Sequence, residues 1–135
     1  MIDTVQRVYD FLAANDSYGF SAAVGTRIWS PVAPADFTNA TAAVIFHMAT
    51  ESSHKTNAVH GSLFTFKCCG GVSISSDPFT SARMLYRYLH DKLHGRSSLT
   101  NKILEAVQVN TAQSLIEPET GWPYMAATYR VMFVN

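Results

Sequence analysis

Apolar residues recur at helical spacing in two stretches of the chain and alternate with polar ones in others. Ile2, Val5, Val8, Tyr9 and Leu12 recur at helical spacing, with Gln6, Arg7 and Asp10 elsewhere. Asp3 stands where an N-cap belongs, so a helix is predicted from about Asp3 to the turn-forming cluster NDSYGF. The second helix opens at Ser76-Asp77-Pro78, a capping residue followed by proline at the first helical position. Its apolar stripe is Phe79, Ala82, Leu85, Tyr86, Leu89 and Leu93, and Gly95 stops it.

Between and after these helices the period changes to two. Thr41–Thr50, TAAVIFHMAT, reads as a strand with Ala42, Val44, Phe46 and Met48 on one face and Ala43, Ile45, His47 and Ala49 on the other. Both faces are largely apolar, which predicts a central strand or one covered on both sides. SLFTFKCC is a second strand, and Gly70-Gly71 marks a bulge or bend before Val72 and Ile74 extend it. Ile103–Asn110 and Ala112–Ile116 are predicted extended, EPETG a turn, and Met125–Val134 the last strand, with Tyr129, Val131 and Phe133 on its inner face. Arg27-Ile28-Trp29 is a brief extended segment after the short apolar piece SAAV. This order predicts an α+β domain spanning residues 1–135: an antiparallel sheet of about four to five strands with two main helices on one face, in two layers.

Two segments lack periodicity. SPVAPADFTNA is a proline-containing loop. ESSHKTNAVHG, Glu51 to Gly61, is long for a hairpin connection, whose usual length is about 2–5 residues. Its polar residues Glu51, His54, Lys55, Asn57 and His60 are candidates for contact with a partner, the alternative being a solvated connection.

Composition narrows the function. The chain is 47% apolar but only 15% charged, against an average near 25%. A surface poor in charge suits a chain partly covered by other chains. Ten basic and ten acidic residues cancel, which leaves no surplus to neutralise phosphates and argues against direct nucleic-acid binding. Cys68 and Cys69 are neighbours whose side chains point to opposite strand faces, so they read as two free, packed thiols. The first residues contain acids and no long apolar run, unlike a signal peptide. No window approaches the roughly 20 apolar residues of a membrane span. A soluble protein made in a reducing cytoplasm is expected.

One short motif raises a catalytic question. HDKLH, His90 to His94, is one letter from the helical H-E-x-x-H zinc signature. Arg83 and Arg87 share the histidines' edge of the helix, where they would repel a cation. Asp91 faces Arg87 and reads as its ion-pair partner. A zinc site also needs a third protein ligand, and His47, His54 and His60 have no spacing that supplies one. The motif therefore reads as the basic end of an amphipathic helix. No nucleophile elbow, phosphate loop or carboxylate pair is evident, and no catalytic, cofactor or metal residue is assigned.

The order of elements resembles the tail-completion, or tail-terminator, proteins of long-tailed phages. The resemblance spans most of the chain. It comprises the N-terminal amphipathic helix, VGTRIWSPVAP, the two strands, the capped helix ending in Leu93-His94-Gly95, and the EPETG turn before the final strand YRVMFVN. Gly25, Arg27 and Ile28 are the best local matches, while CCGG departs from the pattern. The resemblance implies a non-enzymatic structural protein of the virion, made in the host cytoplasm. It would form a hexameric ring that caps the head-proximal end of the tail tube, stops tube growth and joins tail to head. Its partners would be copies of itself, the tail tube protein and a head-side connector or stopper protein. No membrane, no cofactor, and no nucleic-acid contact beyond lining a DNA channel are implied. A neighbouring neck protein, such as a head-closure or connector ring, is the alternative, and a small metal-dependent enzyme is the reading of a different class.

Overall fold

The computed structural model describes the backbone of residues 3–51 and 59–134 and the side chains of residues 3–50 and 61–134. Helix α1, Thr4–Ala13, starts where Asp3 accepts a hydrogen bond from the Gln6 N–H. It buries Val8, Phe11 and Leu12. SAAV, expected only as an apolar piece, belongs to a short helix α2, Phe20–Val24. Gly25 ends α2 at φ +55° and strand β1, Ile28–Trp29, follows. Arg27 ties α2 to the residue ahead of the next strand: its Nε donates to the Ala42 carbonyl at 2.7 Å and its Nη2 to the Ala23 carbonyl at 3.0 Å.

The remaining elements are β2 (Ala43–Glu51), β3 (Val59–Cys69), α3 (Pro78–Leu93), β4 (Arg96–Ser98), β5 (Ile103–Gln108), β6 (Gln113–Ile116) and β7 (Pro123–Val134). Among the described residues they form a seven-stranded sheet in the order β1-β2-β3-β7-β5-β4, with β6 also on β7. The sheet is mixed and curled, with more strands than the antiparallel four or five expected. β1 runs parallel to β2, placing Ile28 opposite Val44. Strands of two and three residues such as β1 and β4 are too short to show an alternation, which is why the pattern does not reveal them as sheet members. β7 is the spine. It pairs with β3 along one side and with β6 and then β5 along the other.

The helices pack on one sheet face. Val8 and Leu12 of α1, Phe20 and Val24 of α2, and Leu85, Leu89 and Leu93 of α3 share one cluster with Val44, Phe46, Phe64, Phe66, Tyr129, Val131 and Phe133. Strict alternation along β7 does this for the last strand: every second residue from Pro123 to Phe133 is buried. Asp77 caps α3 through the Phe79 N–H, and proline occupies the first turn, as the sequence predicts.

Three local expectations need correction. Gly71 to Ser73 form a turn, so the β3 run ends at Cys69 and Val72 is exposed. Glu51 continues β2, and Val59 to Gly61 already belong to β3. The connection is therefore 52–58, which lies outside the described residues. Phe79, expected in the buried stripe of α3, is 43% exposed. It sits in the first turn, at the rim of the stripe.

CCGG has a steric explanation. A Cβ on Gly70 would lie 2.1 Å from the Ser81 carbonyl carbon, and one on Gly71, where φ is +61°, 2.8 Å from the Asn39 and Thr41 carbonyl oxygens. The end of β3 thus abuts the first turn of α3 backbone to backbone. Gly70→Ala forces that helix away from the sheet and is expected to cost about 1–3 kcal/mol or more, as overpacking does. Chemical denaturation of the variant checks this; an unchanged midpoint would disprove the contact.

Candidate interaction groove

The sheet face away from the helices has no covering layer of secondary structure among the described residues. Its residues alternate with the core: Ile45 and His47 from β2, Thr65, Lys67 and Cys69 from β3, Tyr124 and Ala126 from β7. Two irregular segments rise beside them and wall a groove of about 600 Å³. One is the loop Pro31–Phe37, and the other the β6–β7 turn from Glu117 to Trp122. Aromatic edges close one end. Phe37 meets Trp29 at a ring-centroid distance of 5.3 Å and Trp122 at 6.1 Å, both edge-to-face. The turn is held by the Glu117 N–H donating to the Trp122 carbonyl and the Gly121 N–H to that of Glu117, each at 2.8 Å.

One ion pair sits in the groove. Lys67 donates to Glu117 and lies 4.4 Å from the centroid of the Tyr124 ring. Burial pulls the Lys67 ammonium toward lower pKa, but the hydrogen bond to Glu117 and the nearby Cys69 and Tyr124 outweigh it, so it titrates above its ordinary value. Burial pushes the Cys69 thiol up to about 11 against the opposing pull of Lys67, and Cys68, wholly within the core, is raised further from ionisation. Thiols in this state are inert toward nucleophilic chemistry at neutral pH.

Within HDKLH the residue with the most buried polar contacts is the middle one. Lys92 is 3% exposed. Its Nζ donates to the Leu12 carbonyl at 3.0 Å, to the Ala14 carbonyl, and to Asp16 Oδ2 at 2.7 Å. Those acceptors use its three N–H groups. The ammonium thereby satisfies carbonyls that the end of α1 leaves open and pins α3 to the α1–α2 connection. Asp16 also accepts from the Tyr18 and Ser21 N–H groups.

The two histidines stack on each other at 4.5 Å with an interplanar angle of 17°. His90 Nδ1 lies 2.8 Å from the Tyr129 hydroxyl, and His94 Nδ1 accepts from the Gln108 N–H at 3.1 Å. Burial and the adjacent His94 lower the His90 pKa, with Asp91 acting in the opposite direction. Burial, then Tyr86, holds the Tyr129 hydroxyl well above its usual range. The expected Asp91–Arg87 ion pair is absent among the described residues, where the ion pairs are Lys67–Glu117 and Lys92–Asp16. Also among the described residues, no three of His, Cys, Asp and Glu come together to hold a metal ion. No helix there is long and apolar enough to cross a membrane.

Of the contact candidates, His54, Lys55 and Asn57 lie outside the described residues, and Glu51 and His60 are described in backbone only, at the facing ends of β2 and β3. The SPVAPADFTNA loop supplies one wall of the groove. Trp122 and the Lys67–Glu117 pair carry no signal in the sequence pattern. Lys67 and Glu117 are 50 residues apart in the chain, and only the hairpin turn EPETG hints that this region presents a shaped surface.

No family model matches the sequence, and no curated protein matches it. Solved structures do share the fold. A chain from the virion of a native gene transfer agent particle superposes with a TM-score of 0.61 at 18% identity, over 95% of this chain and 92% of that one. The likeness therefore runs through nearly the whole of both chains.

Proposed function

We propose that the protein is a structural component of a phage-like virion, forming a ring on the head-proximal end of the tail tube that ends tube growth and joins tail to head. One observation supports this above the others: a virion chain of nearly the same extent has the same fold from end to end. The physical requirements suit the chain. Stacked rings joined head to tail extend without limit unless the last ring offers the next no matching face. A terminating subunit needs a rigid scaffold and shaped surfaces. Here the sheet and three helices supply the scaffold, and the groove supplies a shaped surface. Glu51, His54, Lys55, Asn57 and His60, which lie in or beside the chain segment between β2 and β3, are assigned to contact with the tail tube or the head-side connector.

Loss of the protein from particle-producing cells is expected to give tails of unregulated, excess length beside unattached heads. Electron microscopy of the lysate reads this directly. Tails of normal length with filled heads that leak DNA would instead make it a head-closure or connector ring. Normal particles would refute a virion role.

A further inference from the structure

Phe79 is the one exposed phenylalanine of the eight. It lies at the start of α3 with Arg83 and Arg87 at the i+4 and i+8 positions, all three exposed. Arg87 has no ion-pair partner among the described residues. Arg83 reaches only the Thr80 hydroxyl, at 3.3 Å. An aromatic knob flanked by two arginines without a carboxylate partner among the described residues thus faces solvent on the helix layer. The groove on the opposite layer has the complementary character. Its walls are apolar and aromatic; within it Glu117 is already paired with Lys67, and at the rim the exposed Glu119 has no ion-pair partner among the described residues.

We propose that the groove of one copy receives Phe79 of the next, with the Arg83 and Arg87 pair meeting the rim at Glu119. This rests on the ring assembly proposed above and names the contact that would build it. Knob and groove occupy opposite layers of the domain, so one pair of molecules cannot satisfy both contacts about a two-fold axis. The contact is heterologous, the type that closes into rings when the rotation per subunit allows. Aromatic anchors in a desolvated pocket within a charged rim are the usual centre of such interfaces. The zero net charge of the chain leaves no self-repulsion to oppose it.

The test places a benzophenone-bearing phenylalanine at position 79 of the full chain and irradiates it at about 1 mM, where even a millimolar contact is populated. Adducts between two chains that map to residues 31–37 or 117–126 are expected. Arg83→Glu with Arg87→Glu should cut their yield at least tenfold with unchanged circular dichroism. Adding Glu119→Arg to that variant should restore most of it. No chain–chain adduct, or one mapped elsewhere, overturns the proposal. The readout is separate from the particle phenotype. A mapped adduct from a protein dispensable for particles keeps the contact and removes the tail role, and the reverse pair of results does the opposite.

Discussion

Lys92→Met is expected to lower folding stability by about 3–5 kcal/mol, the usual cost of removing one partner of a buried ion pair. Methionine keeps an apolar stem of similar length but abandons the ammonium's contact with the Phe20 ring, two carbonyls at the end of α1 and the Asp16 carboxylate, whose side chain is 5% accessible. Urea denaturation gives the magnitude. A loss below about 1 kcal/mol would mean that the pair behaves as an exposed one. The same pair shapes acid stability. Burial pushes the Asp16 carboxyl up, but the Lys92 hydrogen bond and the Tyr18 and Ser21 N–H groups outweigh it, and its pKa falls below the ordinary 3.8. A carboxyl depressed in the folded state adds stability that is fully present above its unfolded pKa and is lost as pH falls through the folded value. Stability of the native protein should therefore decline as pH drops below about 4, and Lys92→Met should lose that share of the decline. Asp16→Asn, which removes the charge that Lys92 balances, should flatten the same part of the curve.

Phe66→Ala should cost a comparable amount, about 3–5 kcal/mol, through lost burial and the cavity left behind. Phe66 is fully buried in β3. Its ring stacks on Phe46 at 5.7 Å and meets Tyr129 edge-on at 5.5 Å, linking the three strands β2, β3 and β7. Phe66→Leu, which refills most of the space, should recover much of the loss. Equal destabilisation by both would mean that aromatic geometry matters more at this position than filled volume. Thermal unfolding of the two variants separates these outcomes.

The elements that can be read from the chain alone are those whose physics is local. Helices α1 and α3 announce themselves because a capping aspartate, a proline in the first turn of α3 and apolar residues at three- and four-residue steps all lie within one segment. β7 does so over Met125–Val134, where alternation at period two reads as a strand, although the strand itself begins two residues earlier at Pro123. The short α2, β1 and β4 carry too few residues for either period, and only neighbouring elements hold them in place.

The groove and the Lys92 anchor lie beyond any sequence pattern. Lys92 and Asp16 are 76 residues apart, and nothing in HDKLH distinguishes a buried lysine from the solvated cation expected at a helix end. Phe79 continues the apolar stripe and so reads as inward-facing, yet the three-dimensional boundary of the core leaves it outside. Residue order and composition thus determined an α+β chain with two capped helices, a last strand from Met125 to Val134 and a surface poor in charge. Which buried groups meet, and which face stays uncovered, was decided by tertiary structure, because burial and ion pairing depend on segments that the fold alone brings together.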